Sequence, residues 1–156
     1  MVKAELNLVD EFRQGVKALK SGYPQKALVH MRTAFESEKH NPFYLSFLGL
    51  SVARAERRWD RAAELCEIAV QLRRSECQFH LNLAEVYVLS GRREKALDTI
   101  DAALAHFGKD PRLVRARSRM EKRRAPALPF LTRNHFLNRT IGKMRHRTLS
   151  RFGKTA

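Results

Sequence analysis

The six histidines are the side chains in this sequence best suited to acid–base or metal chemistry at neutral pH. None of them occurs in an HExxH pattern or in another spacing typical of metal ligands. One of them, His80, falls at a position expected to pack between helices, which favours a structural role over a catalytic one. The histidines therefore predict neither a metal site nor a general base. They are His30, His40, His80, His106, His135 and His146.

The other reactive side chains also lack the arrangements that catalysis needs. Cys66 and Cys77 form no CxxC pair and no metal-ligand spacing, which indicates two reduced thiols. The sequence contains no Gly-rich phosphate loop, no GxSxG motif and no pair of carboxylates in an apolar context. We therefore predict a protein that is not an enzyme, uses no cofactor and takes no small-molecule substrate.

The composition is that of a folded protein rather than a disordered one. Apolar residues make up 44% of the chain and charged residues 30%, and Gly and Pro are few, which favours helices. The first ten residues lack the apolar run of a signal peptide, and no stretch is apolar enough to span a membrane. These features predict a cytoplasmic location.

The positive charge of the chain is concentrated near its C-terminal end. Residues 1–111 carry 17 Lys and Arg against 15 Asp and Glu, a net charge of +2. Residues 112–156 carry 14 Lys and Arg against a single acid, Glu121, a net charge of +13. The sequence therefore divides into a nearly neutral body and a strongly basic C-terminal part.

Small residues recur in the body three times, at a period of about 34 residues, which is typical of a helical repeat. Two antiparallel helices can approach closely only where their side chains are small, so the recurrence predicts three helix pairs. The recurring sets are Ala27, Ala62 and Ala96; Ala34, Ala69 and Ala103; and Gly15, Gly49 and Ala84. The predicted pairs are residues 5–21 with 24–38, 43–57 with 60–73, and 77–90 with 93–107.

These residues resemble the tetratricopeptide repeat over about residues 8–110. The second unit carries one extra residue between Gly49 and Ala62, and the first has Glu11 and Gln14 where the family has large apolar residues. The resemblance implies an all-α fold, a right-handed superhelical array of antiparallel helix pairs. The third unit is the most similar, through Leu83, Ala84, Tyr87, Gly91, Ala96, Ala103, Asp110 and Pro111.

The resemblance and the charge division together predict the domain organisation. A repeat domain spans residues 1–124, and a basic tail spans residues 125–156. Within the domain we expect a capping helix over residues 111–124, whose apolar side covers the last repeat. Within the tail we expect an amphipathic helix over residues 134–151. The predicted repeats are residues 8–41, 42–76 and 77–110.

In this family the first helices of the pairs line a concave groove, and here the residues at those positions are largely apolar. Such a surface is typical of one that a partner covers. We expect it to bind an apolar peptide or helix, with Phe12, Phe43 and Phe47 as aromatic anchors. The predicted groove residues are Phe12, Val16, Leu19, Phe43, Phe47, Leu50, Leu81, Asn82, Glu85 and Val88.

Two alternatives to an open groove remain at this point. A short array can bury some of these residues internally, or the tail of the chain can fill the groove. One family option is disfavoured, because members that grip the C-terminal carboxylate of heat-shock chaperones use Lys and Asn on the groove helices. Here the matching positions hold Phe12 and Val16, Ser46 and Leu50, and Leu81 and Glu85.

The basic tail has four possible partners: an anionic membrane, nucleic acid, an acidic protein, or the repeat domain itself. The cations expected to contact an anionic partner are Arg139, Lys143, Arg145, Arg147 and Arg151. We predict that the protein is a non-catalytic interaction module, an adaptor, scaffold or chaperone-like protein. The alternative function is a nucleic-acid-, ribosome- or membrane-associated protein that binds through residues 112–156.

Overall fold

The computed structural model describes residues 2–121, with side-chain burial described from residue 8 onward. These residues form seven α-helices joined by short turns, and they include no strand. None of these helices is long and apolar enough to cross a membrane. The helices are α1 (Val2–Lys20), α2 (Pro24–Ser37), α3 (Pro42–Glu56), α4 (Trp59–Leu72), α5 (Cys77–Leu89), α6 (Arg93–Phe107) and α7 (Pro111–Glu121).

Consecutive helices pack in pairs, α1 with α2, α3 with α4, and α5 with α6. Adjacent pairs contact each other through α2 and α3, α3 and α5, and α4 and α5, so the pairs stack in chain order. The helix bounds are close to the predicted ones: α1 begins three residues earlier, and the other ends of the paired helices differ by at most one residue. The division after residue 124 stays a prediction, because residues 122–156 lie outside the described part.

The recurring alanines occupy equivalent positions in the three pairs. Ala27, Ala62 and Ala96 are each the fourth residue of a second helix, and all three are completely buried. Their backbone N–H groups donate to the carbonyls of the residues four positions earlier, which flank the helix starts. Ala34, Ala69 and Ala103 are also completely buried one heptad later. The predicted reason for the repeat, close contact between paired helices, is therefore confirmed.

The turns inside the pairs differ in one residue type. Gly22 and Gly91 lie two residues before their second helices with φ of 78° and 80°, a left-handed conformation that suits glycine. Arg57 occupies the same position before α4, with φ of 58°. The extra residue of the second unit lies between Gly49 and this turn. Helix α3 continues seven residues past Gly49, whereas α1 and α5 continue five residues past Gly15 and Ala84, and the turn has two residues instead of three. Ala62 is nevertheless the fourth residue of its helix, as Ala27 and Ala96 are of theirs.

Helix α7 covers the last pair and begins with Pro111, as predicted for a capping helix. Leu113 is completely buried against α5 and α6, whereas its neighbour Val114 is 42% exposed. The guanidinium of Arg93 donates to the carbonyl of Met120 with an Nε–O distance of 2.8 Å. Through this bond the start of α6 holds the last turn of the capping helix.

Candidate peptide-binding groove

The groove face is the surface formed by the side chains of α1, α3 and α5 that do not pack against the second helix of their own pair. These three helices are neighbours in the array, α1 beside α3 and α3 beside α5. Each carries a small residue, Gly15, Gly49 or Ala84, on the side that meets its second helix, and each of the three is buried. The remaining side of each helix is therefore directed to the groove face or to the neighbouring first helices.

Aromatic rings connect the three helices along the groove face. The Phe12 ring of α1 lies between two rings of α3, with centroid distances of 5.2 Å to both Tyr44 and Phe47. Phe43 of α3 contacts Phe79 of α5 edge-to-face at 4.9 Å. Such tilted and edge-to-face pairs are favourable arrangements of aromatic quadrupoles. The predicted anchors Phe12, Phe43 and Phe47 are thus half-buried and form part of the contacts between repeats.

The structure divides the predicted groove residues by accessibility. Leu19, Leu50 and Asn82 are at most 4% exposed, so a partner on this face cannot contact them, and their assignment to the groove surface is corrected. The two leucines belong to the core cluster because neighbouring helices cover them. Val88 is 44% exposed. The half-buried members are Phe12, Val16, Phe43, Phe47, Leu81 and Glu85.

Asn82 is buried because it completes a polar contact between α3 and α5. Its Nδ2 donates to Ser46 Oγ at 2.9 Å, and its Oδ1 accepts from Gln78 Nε2 at 2.8 Å. Ser46 is also completely buried, and its carbonyl lies 3.4 Å from Cys66 Sγ, which donates to it. A buried polar side chain is stable only when its hydrogen-bonding groups are satisfied in this way.

A guanidinium on α3 connects all three first helices. Arg54 Nε donates to Glu85 Oε1 of α5 at 2.7 Å, and a terminal nitrogen of the same side chain donates to the carbonyl of Leu19 in α1 at 3.0 Å. Arg54 was not among the residues predicted from the sequence. No pattern within one repeat indicates this role, because the partners of Arg54 lie 31 and 35 residues away in the sequence.

A depression of about 670 Å³ lies at the edge of the groove face, where the first pair meets the second; it is called the inter-repeat pocket below. Phe43 belongs to both the pocket and the groove face. The guanidinium of Arg73, which follows the last residue of α4, lies over the Phe43 ring at 5.3 Å from its centroid. This pocket was not predicted from the sequence. It is lined by residues 37–43 and Arg73.

Burial raises the pKa of three side chains in the body, Cys66, Cys77 and Tyr87. Burial raises the pKa of the Cys66 thiol strongly, and burial together with a hydrogen bond to Glu67 raises the pKa of Tyr87. Burial also raises the pKa of Cys77. Raised pKa values keep both thiols in the poorly nucleophilic protonated form. No group of three His, Cys, Asp or Glu suited to a metal ion occurs among residues 2–121.

The cations predicted to bind an anionic partner lie outside the described residues, so their assignment stays a prediction. They are Arg139, Lys143, Arg145, Arg147 and Arg151.

Comparison with known proteins shows which proteins this architecture is similar to. A family profile described as a tetratricopeptide repeat matches residues 53–120. A search of curated proteins found no match. Solved structures similar to this chain include tetratricopeptide repeat domains and one enzyme that contains a similar region.

Three of these solved structures illustrate the likeness. The second tetratricopeptide domain of human RPAP3, solved in complex with an HSP70 peptide, is 14% identical; the match covers 76% of this chain and 98% of that one, with a TM-score of 0.61. The Arabidopsis OM64 domain is 16% identical over 74% of this chain and 95% of that one, at 0.60. A Thermobaculum terrenum O-GlcNAc transferase is 22% identical over 74% of this chain but 22% of that one, at 0.65.

Identities this low establish the fold alone, and the fold agrees with the predicted all-α solenoid of antiparallel helix pairs. The profile match covers the second half of the described body, where the third unit has the closest sequence resemblance. The first pair, which has the weakest sequence signal, is placed in the same array by its buried Ala27 and Ala34. Residues 53–120 of this chain thus match a tetratricopeptide repeat profile, and residues 2–121 have the fold of tetratricopeptide repeat domains.

Proposed function

We propose that this protein is a non-catalytic protein–protein interaction module, an adaptor, scaffold or chaperone-like protein, that binds an apolar peptide or helix on its groove face. The observation that carries the proposal is the exposure of apolar side chains on the first helices. Val9, Val88 and Leu89 are 41–44% exposed, and the rings of Phe12 and Phe47 on the same set of helices are half-buried. Apolar residues accessible on one face of a repeat array are typical of a surface that a partner covers.

The similar domain of RPAP3 was solved with an HSP70 peptide, which supports a peptide as the class of partner. The groove side chains favour a partner of different chemistry from a free carboxylate. Positions where relatives that grip a C-terminal carboxylate carry Lys and Asn hold Phe12, Val16 and Leu81 here. A carboxylate placed against these side chains would lose its hydration without gaining a partner.

The proposal is tested with charged substitutions at exposed groove positions. Val9→Asp and Val88→Asp place a carboxylate on the groove face without removing a buried contact. Val29 of α2 is 64% exposed on a second helix, so Val29→Asp is a control with the same change of residue and charge. We expect affinity capture with the full chain to lose its specific partner with the two groove variants and to retain it with the control. Equal capture by all three variants would exclude the groove face.

The aromatic anchors provide a second test. Replacing Phe12, Phe43 and Phe47 with polar residues removes both the proposed anchors and ring contacts between repeats. The thermal stability of these variants must therefore be measured alongside partner capture. A loss of capture by a variant that still melts cooperatively supports the proposal, whereas full capture by a folded triple variant contradicts it.

The alternative function rests on the charge of the C-terminal part, 14 Lys and Arg against one acid over residues 112–156. Binding of nucleic acid or an anionic membrane through this segment would weaken steeply with salt, since counterions are released on binding. Replacement of Arg139, Lys143, Arg145, Arg147 and Arg151 by Gln in the full chain should then abolish it. Binding that is insensitive to both salt and these substitutions would eliminate this alternative.

A further inference from the structure

The inter-repeat pocket combines an aromatic floor with a cationic rim. Its lining includes Phe43, the two cations Lys39 and Arg73, and His40. Its single acid, Glu38, already accepts a hydrogen bond from Asn41 Nδ2 at 2.8 Å. Among residues 2–121, no carboxylate lies within ion-pair distance of Lys39 or Arg73. The pocket lining therefore carries two cations, Lys39 and Arg73, against one carboxylate, and neither cation is ion-paired within residues 2–121.

Arg73 is held in place at this rim by contacts that leave its charge without an acid partner in the described body. Its backbone N–H donates to the carbonyl of Ala69 at 3.1 Å, and its own carbonyl accepts from the N–H of Glu76 at 3.4 Å. Its guanidinium lies over the Phe43 ring. A guanidinium that stacks on a ring keeps its planar N–H edge for a carboxylate, which it can bind through two parallel hydrogen bonds.

The pocket is continuous with the groove face through α3. Phe43 lines the pocket, and Phe47 lies one helical turn further along the same side of α3, in contact with the Phe12 ring. A peptide that covers these rings therefore passes the pocket at one end of its path. An acidic side chain at that end would meet the N–H edge of Arg73.

We propose that the inter-repeat pocket is a specificity subsite for an acidic side chain, Asp or Glu, of the peptide that binds the groove. This inference rests on the proposed function and adds the chemistry of one partner residue to it. The partner is then an apolar peptide segment with a carboxylate at a fixed distance from its apolar anchors. The anchors contact the groove face, and the carboxylate binds Arg73, with Lys39 at the same rim.

The test begins with selection of random displayed peptides on the full chain. Wild-type protein should enrich peptides in which an Asp or Glu recurs at a fixed spacing from apolar residues. Arg73→Gln should lose the acidic preference and keep the apolar one. Arg74→Gln is the matched control, because Arg74 is an exposed neighbour with the same charge and does not line the pocket. Both variants retain the basic tail, so any attraction of the tail for acids is the same in the two.

The second step measures the affinity of one selected peptide and of its acid-to-amide counterpart by fluorescence anisotropy. Loss of a charge-assisted bidentate contact predicts that the amide peptide binds about tenfold more weakly to wild type and to Arg74→Gln. With Arg73→Gln the two peptides should bind within about twofold of each other, because the partner of the acid is already absent. An equal preference for the acid in Arg73→Gln and wild type would overturn the subsite.

The outcomes of these experiments distinguish a failure of the subsite proposal from a failure of the groove proposal. Apolar peptides that need Val88 unsubstituted but show no fixed acid would overturn the subsite and leave the groove proposal standing. Peptides that lose binding with Arg73→Gln but bind Val9→Asp and Val88→Asp as well as wild type would contradict the groove and with it this inference. Unchanged thermal unfolding of Arg73→Gln and Arg74→Gln would confirm that neither change alters the fold.

Discussion

Gly49 of α3 and Cys66 of α4 are in such close contact that no side chain fits between them. A methyl group at Gly49 would lie 2.6 Å from Cys66 Sγ and 2.8 Å from the carbonyl oxygen of Ala62. The second of these atoms belongs to the backbone and cannot rotate away. Helix α4 can approach α3 this closely only because Gly49 has no side chain. Gly49 is also the position where the repeat pattern has a small residue.

This contact predicts a large effect for a one-carbon substitution. We expect Gly49→Ala to lower the free energy of unfolding by about 1–3 kcal/mol, because the backbone of α4 must move. Gly15→Ala is the matched control at the equivalent position of α1. There the methyl group meets only the flexible side chain of Met31, with its Cε at 2.6 Å, and the better helix propensity of Ala offsets part of the cost. Urea denaturation followed by circular dichroism measures both, and equal losses would contradict the explanation.

The left-handed turn before α4 predicts a stabilising substitution. Arg57 adopts φ of 58°, whereas Gly22 and Gly91 occupy the equivalent turns. A residue with a Cβ costs about 1 kcal/mol more than Gly in this conformation, so Arg57→Gly should raise the free energy of unfolding by a similar amount. Gly22→Ala and Gly91→Ala should lower it. Beyond the adjoining residues, no atom would lie within 4 Å of a methyl group at either glycine, so only φ is responsible. A destabilised Arg57→Gly would show that the arginine side chain has a role that the φ argument omits.

The buried thiol of Cys66 predicts a loss of stability at alkaline pH. Its pKa is raised in the folded protein, so the unfolded chain releases the thiol proton first, near pH ~8.5. The folded state is fully favoured below that pH, and the free energy of unfolding should fall as the pH rises above it. The raised pKa of Tyr87 adds to the fall near pH ~10.

Thiol labelling checks the same group directly. In a Cys77→Ser variant, a thiol reagent should modify Cys66 at the rate at which the protein opens, and urea should accelerate the modification. Labelling as fast as that of a free thiol in the absence of urea would show that Cys66 is accessible.

Asp110, at the start of the capping helix, predicts that stability also depends on pH in the acidic range. Hydrogen bonds from the side chain and backbone N–H of Arg112 lower the pKa of Asp110 to about 2. A carboxylate with a lowered pKa stabilises the folded state above its unfolded pKa, near pH ~4, and this contribution disappears as the pH falls towards ~2. Asp110→Asn keeps a good helix cap but cannot titrate. The midpoint of urea unfolding should therefore depend less on pH in this window for Asp110→Asn than for wild type, and identical profiles would contradict the assignment.

The helix pairs were predictable because each pair needs a small side chain at its helix contact, and this need is local and recurs in every unit. An alanine at the fourth position of each second helix leaves room for the first helix, and the sequence repeats this signal at Ala27, Ala62 and Ala96. The profile match and the similar solved structures confirm the family resemblance drawn from these residues.

The accessibility of the groove residues was less predictable, because it depends on how one repeat covers the next. Leu19 and Leu50 were expected on the surface and are buried by neighbouring helices. Asn82 has a polar side chain at a groove position, but its partner Ser46 is 36 residues away in the sequence. The hydrogen bond from Arg54 to Glu85 also joins distant positions, 31 residues apart, and the period of a single helix does not predict such a contact. Contacts of this kind follow from the stacking of the repeats and not from the pattern within one of them.

The bridge from Arg54 to α1 and α5 has a mechanical consequence. A solenoid normally adjusts its curvature by small rotations between successive repeats, and each rotation changes the spacing of the first helices. The Arg54 side chain bridges two consecutive junctions, through the carbonyl of Leu19 on one side and the carboxylate of Glu85 on the other. These hydrogen bonds therefore oppose rotation of the second pair relative to both of its neighbours.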